Sequence, residues 1–249
     1  MKKYRILLLI LLTLTGCAGK KYREETVQTA PAPQVTQTLP PETTIPVVET
    51  TVPETTVPQT EPTLPEPPGS EDAFVRVLDY IPSASQELMY ATEKNFTGQV
   101  IYDFQDAYLR YGTVKKIQLV SADLEELGLY IKIWDGFRPV SAQFKLWEVC
   151  PDPTYVANPT TGYSSHSRGN TIDLTLVDAQ GRELVMPTAF DDFSTKANRD
   201  YSDCTDEETN NAQLLEILME KHGFTGYFGE WWHFSDTTGY PVEQIFEPR

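Results

Sequence analysis

The chain is short of cations, of cysteine and of histidine, and each shortage closes off a class of function. Against 36 Asp and Glu stand only 20 Lys and Arg, a formal charge of −16 over 249 residues. Nucleic-acid binding rests on clustered Lys and Arg that release counterions from phosphates, so this balance argues against a nucleic-acid partner. The excess of acid instead suits solubility. The three cysteines, Cys17, Cys150 and Cys204, contain no Cys-x-x-Cys spacing for a thiolate metal site. No apolar run approaches the roughly 20 residues that cross a bilayer as a helix. His-Glu-x-x-His is also absent. A metal site would have to be assembled from residues distant along the chain.

The longest apolar stretch, residues 6–14 of MKKYRILLLILLTLTGC, follows Lys2, Lys3 and Arg5 and ends in small residues. That is the layout of an export signal over residues 1–17. Its end, LTGC, resembles a bacterial lipoprotein processing site. This implies lipidation of Cys17, a tether to the bacterial cell membrane and an extracytoplasmic location. An ordinary secretory signal with an incidental cysteine is the alternative. Residues 18–70 hold eleven of the nineteen prolines, in phrases such as PETTIPVVETTVPETT. This composition buries too little apolar surface to offset ordering entropy and reads as an extended, partly polyproline stalk. Residues 71–249 remain as one folded domain with a single core. Outside the cytoplasm Cys150 and Cys204 could pair, and their spacing leaves that open.

Within the domain, TVKKIQLVSADLEELGLY carries apolar residues at Val114, Ile117, Leu119, Val120, Leu124 and Leu127, with Gly128 as C-cap, and predicts a helix. A strand over residues 129–134 follows, then an Asp135-Gly136 turn, with Arg138 projecting from the strand's exit before Pro139. SAQFKLWEV predicts a short helix capped by Ser141. TIDLTLVD predicts a strand, turning through Asp178 to Gly181 into ELVM as a hairpin partner. NNAQLLEILMEKHGF predicts a helix with Leu214, Leu215, Leu218 and Met219 on one face, ending at Gly223. YFGEWWHFSD predicts the last strand. Helices and strands mix without a βαβ rhythm, so the fold class expected is α+β, an antiparallel sheet with flanking helices.

Only three histidines exist. His222 sits in the last turn of a predicted helix, where a cation suits the helix dipole. His166 lies in SSHSRGNTIDLTL, seven residues before Asp173, which opens an apolar strand and needs a cation because an unpaired buried carboxylate is costly. Arg168, Arg138 or a metal could serve. His166, Asp173 and His233 would make three ligands with a fourth position open, the pattern of catalytic zinc. A salt-bridged acid beside two unrelated histidines is the competing account. In YFGEWWHFSD, Glu230 and His233 stand three positions apart among Phe228, Trp231, Trp232 and Phe234. Residues three apart on a regular strand face opposite sides, so convergence would require a bulge, for which Gly229 is a candidate.

SSHSRGNTIDLTL and EWWHF resemble the two metal-site motifs of the D-alanyl-D-alanine dipeptidases. YATEKNFTG from residue 90, WDGFRP at 134–139 and FDDF at 190–193 are similar to that family in the same order, over residues 74–240. The resemblance implies one zinc ion held by His166, Asp173 and His233, with Glu230 as catalytic base and Arg138 stabilising charge at the reacting carbonyl. It associates Tyr90, Asp135, Ser164 and Asp191 with holding the substrate or supporting the site. A hedgehog-like DD-peptidase fold is implied as well. Pro187 departs from the family, where Gly is common. The aromatic residues around Glu230 and His233 are expected to form an apolar wall. The substrate expected is D-alanyl-D-alanine or a short peptidoglycan peptide. Two other readings stay open: a DD-carboxypeptidase trimming stem peptides, and a non-catalytic module that binds wall peptides.

Overall fold

The computed structural model describes residues 64–249; the expected leader, Cys17 and most of the expected stalk lie outside the described residues. In chain order the elements are β1 (Phe74–Arg76), α1 (Val77–Tyr80), β2 (Ser85–Gln86), β3 (Tyr108–Arg110), α2 (Tyr111–Glu125), β4 (Leu129–Asp135), α3 (Val140–Val149), β5 (Thr171–Asp178), α4 (Asp206–Lys221), β6 (Phe224–Tyr227) and β7 (Glu230–Asp236). Five strands form one sheet in the order β2-β4-β5-β7-β6. Only the β2–β4 pair is parallel. β1 and β3 make a separate antiparallel pair. The fold is α+β, as expected.

β5 is central, and residues 171–177 are all buried. Ile172, Leu174 and Leu176 alternate onto one face and join β4's Ile131 and Ile133 in the core. Val114, Ile117, Val120 and Leu124 of α2 and Leu215 and Met219 of α4 pack into the same cluster. That apolar side leaves the opposite face of β5 free to carry Asp173. The α4 start is fixed by a capping box that the sequence reading overlooked, in which Thr205 and Glu208 satisfy each other's backbone N–H groups.

Several expectations need correction. Leu119 is 54% exposed, since the core-facing stripe of α2 is narrower than its apolar content, and Leu127, 57% exposed, falls past the end of that helix. α3 begins at Val140, not after Ser141. Pro139 stands at the N-cap, at φ −54° and ψ 148°, and makes no side-chain cap. The partner of β5 within ELVM is a single bridge, Val177 to Glu183. YFGEWWHFSD is not one strand, because it contains the end of β6, a turn at Phe228 and Gly229, and β7. Cys150 and Cys204 are free thiols. His222 caps α4 and also lies 2.6 Å from Asp123 on α2, pinning the two helices together.

Candidate metal centre and active site

Sheet register assembles most of the site. Asp173 on β5 is the cross-strand partner of Asp135 on β4 and of His233 on β7, and directly paired residues present their side chains on one face. His166 arrives from a 3-10 turn, Ser165–Arg168, that leads into β5. Ser164 caps this turn by accepting from the His166 backbone N–H at 3.3 Å, and Gly169 ends it at φ 76°. Only glycine fits there, because a Cβ would fall 2.4 Å from the Phe74 ring.

The three candidate ligands converge. His166 Nε2 lies 3.3 Å from Asp173 Oδ2, His233 Nδ1 lies 3.0 Å from Asp173 Oδ1, and the two ring nitrogens are 3.3 Å apart. Donors placed about 2.0–2.1 Å from a tetrahedral zinc stand about 3.3 Å from one another, so the set fits that ion. Asp173 Oδ1 is buried and makes no hydrogen bond, its polar neighbour at 3.0 Å being the ring nitrogen His233 Nδ1. A lone pair so placed calls for a cation. Neither arginine considered for that role supplies it: Arg168 donates to the Tyr240 carbonyl at 2.8 Å, and Arg138 binds Asp135. His166 Nδ1 donates to the Gly136 carbonyl at 2.8 Å, which fixes the tautomer and leaves Nε2 free to ligate. His233 Nε2 lies 3.4 Å from Ser165 Oγ, leaving Nδ1 as its ligating atom.

Electrostatics separate the acids. Burial opposes ionisation of Asp173, yet the attraction of His166 and His233 outweighs it and holds the carboxyl well below the usual range. Glu230 is half-buried with Oε2 3.5 Å from His233 Nδ1. Burial pushes its pKa up, against the pull of His233. Asp191 is pushed up strongly, by burial first and by the charge of Asp173 second.

Asp191 adopts φ 58°, and its Oδ2 is buried without a partner. Its Oδ1 accepts from Tyr90 Oη at 3.3 Å. Both residues line a cavity of about 100 Å³ together with Arg138, Ser164, Glu230 and the three ligands. Arg138 is buried and held on all sides. It donates to Asp135 Oδ2 at 2.7 Å, Tyr102 Oη at 3.0 Å and Gln143 Oε1 at 3.0 Å, and lies 4.7 Å above the Tyr90 ring. Asp135 is fully buried and also accepts from Tyr102 Oη and the Gly136 N–H. It therefore supports Arg138 from behind and does not line the cavity.

The bulge required for Glu230 and His233 to converge exists, but not at Gly229. β6 and β7 pair Gly226 with Phe234 and then Tyr227 with Glu230, so residues 231–233 have no partner on β6. Gly229 belongs to the hairpin turn. The aromatic wall is also smaller than expected: Trp231, Trp232 and Phe234 are buried, whereas Phe228 is 58% exposed at the hairpin tip. Trp231 packs edge-on against Trp134 at 5.6 Å and donates to Thr188 Oγ1 at 2.9 Å. Tyr102, Gln143 and the cavity-lining Tyr155 were missed in the sequence, and nothing in their spacing marks them; Phe193, which also lines the cavity, closes the FDDF block but was not singled out.

Three ligands that would leave the fourth position of a tetrahedral ion to water or substrate, with a separate acid alongside, are the equipment of a mononuclear metallohydrolase, the class that this fold and site define. A sequence model of the D-ala-D-ala dipeptidase family matches residues 70–247, and the chain belongs to that family of zinc metallopeptidases. The D-alanyl-D-alanine dipeptidase of Escherichia coli is 36% identical over 163 residues, covering 65% of this chain and 84% of that protein. That of Enterococcus faecalis is 32% identical over 184 residues, covering 66% and 91%. Among solved structures, the vancomycin-resistance D,D-dipeptidase VanXYg in complex with a D-Ala-D-Ala phosphinate analog is 20% identical. Its TM-score is 0.36, over 55% of this chain and 53% of that one.

Proposed function

We propose that this protein hydrolyses D-alanyl-D-alanine, or a similarly short D,D-peptide, outside the cytoplasm. The observation that carries the substrate reading is Asp191. A buried carboxylate oxygen with no partner, facing a small cavity, suits the ammonium of a free dipeptide. A peptide extended at its amino end would present an amide there, leaving the carboxyl without its cation. The location rests on the basic and apolar leader, Cys17 and the proline-rich residues 18–70. These suggest a lipid-anchored enzyme on a stalk.

His166, Asp173 and His233 would hold the zinc. What a bound zinc supplies is Lewis acidity, polarising a carbonyl and bringing the pKa of a water toward about 7. Glu230 takes the proton of the attacking water and delivers it to the leaving amine, a role suited to a carboxyl raised by burial. Arg138 cannot lose its charge, and its three anchors hold it at the cavity wall, where it stabilises the oxyanion developing on the carbonyl. Asp135, Tyr102 and Gln143 keep that charge oriented before substrate arrives.

The test is to assay purified, zinc-loaded protein on the free dipeptide and on a pentapeptide stem. Cleavage of the dipeptide alone is expected. Release of D-alanine from the pentapeptide alone would replace the dipeptidase reading with that of a DD-carboxypeptidase.

A further inference from the structure

The bulge that brings Glu230 and His233 together creates a problem elsewhere. Trp231, Trp232 and His233 face no strand on the β6 side, and a buried carbonyl without a donor costs about as much as a lost hydrogen bond. The donors come from one side chain. Arg199 lies between the 3-10 turn Thr195–Ala197 and α4. Its Nη2 donates to the carbonyls of Trp231 at 3.0 Å and His233 at 2.9 Å. Its Nε donates to the Tyr227 carbonyl at 2.9 Å, and its backbone N–H to the Phe228 carbonyl at 2.9 Å.

The guanidinium is itself fixed. It lies 4.3 Å over the Phe234 ring, and Nη1 stands 3.2 Å from Glu216 Oε1 on α4. Tyr201 Oη donates to the other oxygen of that carboxylate at 2.8 Å. The Arg199 side chain is only 7% exposed. Room for it exists because residue 226 is glycine, where a Cβ would fall 2.2 Å from Arg199 Cζ. Gly226 does not have a positive φ, so its lack of a side chain serves space, not backbone conformation.

We propose that Arg199 is a positioning residue for the metal centre: its guanidinium replaces the missing rung of β6 and holds Glu230 and His233 at their working separation. The proposal rests on the zinc-peptidase reading of the site but not on the identity of the peptide cleaved. Lysine cannot substitute, because one ammonium cannot span these carbonyls and also stack on Phe234.

The test compares Arg199→Met, Arg199→Lys and Gly226→Ala with wild type by zinc affinity in chelator competition, and by kcat and KM at saturating zinc. Gly226→Ala keeps the arginine and evicts its head group. Each variant is expected to bind zinc about 10- to 100-fold more weakly and to lose a similar factor in kcat, with KM within about threefold of wild type. Combining Arg199→Met with Gly226→Ala should add little to either, since both break one contact set. If Arg199→Met does not fold, Arg199→Lys and Gly226→Ala decide. Folded variants with zinc affinity and kcat within about twofold of wild type overturn the proposal, as does a lowered melting temperature with unchanged zinc affinity. A wild type that binds zinc but cleaves no D,D-peptide would instead fault the substrate reading, and the affinity comparison would still judge Arg199.

Discussion

His166 and Asp173 reach the metal centre along a regular path, whereas Glu230 and His233 reach it along an interrupted one. The first arm is a capped turn running into β5, a strand paired on both sides and buried along its length. The second arm is the β6–β7 hairpin, whose register shifts by three residues beside the site. Regular geometry suffices where one ligand comes from a strand and another from the turn before it. Placing a ligand and a base three positions apart on one strand requires the ladder to break, and the break requires donors from outside it.

Removing a ligand from either arm should have the largest effect. His166→Ala and His233→Ala each leave two donors, and both are expected to lose stoichiometric zinc by metal analysis along with dipeptide turnover. Retention of metal by one of them would show that the arms are not equal partners. Glu230→Gln sharpens the comparison within the second arm, because base and ligand there are separable. Zinc content should remain while kcat falls about 100- to 10,000-fold. Full turnover in that variant would remove Glu230 from the mechanism.

Arg138 supports the first arm's side of the cavity. Arg138→Lys keeps a cation for Asp135 but loses the fork, and about a 100-fold loss in kcat is expected. Arg138→Ala leaves Asp135 buried without a cation, and chemical denaturation should show a loss of about 3–5 kcal/mol.

Asp191 sets stability against function. Its folded-state pKa is raised, so the folded protein holds this proton more tightly than the unfolded chain. Wild-type stability therefore falls as pH rises through the folded value and recovers as pH drops toward the unfolded carboxyl range. Metal-free Asp191→Asn should melt higher than wild type at neutral pH, with the gap closing in acid, while its KM for the dipeptide rises. An unchanged KM would remove Asp191 from substrate capture. Tyr102→Phe is the mildest change, deleting one hydroxyl between Arg138 and Asp135. About 1 kcal/mol, or roughly fivefold in kcat, is expected.

The two arms also differ in how far they could be read from sequence. His166 and Asp173 were legible because an acid at the mouth of an apolar strand is costly without a cation, and the motif around it is specific. β5 itself, α4 and the α+β class followed from periodicity. Glu230 and His233 were legible as residues, but the geometry joining them was not, since a bulge is defined by pairing with another strand and leaves no pattern in its own. Arg199 was invisible for the same reason: it binds main-chain carbonyls, which every residue carries. Tyr102 and Gln143 touch Arg138 only through the tertiary fold. Phe228 looked like part of the wall because composition does not reveal that the hairpin turns beneath it.

The most direct measurement is anomalous diffraction at the zinc edge from crystals of zinc-loaded protein. A single ion bonded to His166 Nε2, an Asp173 carboxylate oxygen and His233 Nδ1, with Glu230 unligated beside it, is the predicted result. An ion bound elsewhere, or these three side chains in place with zinc present and nothing between them, would contradict the account.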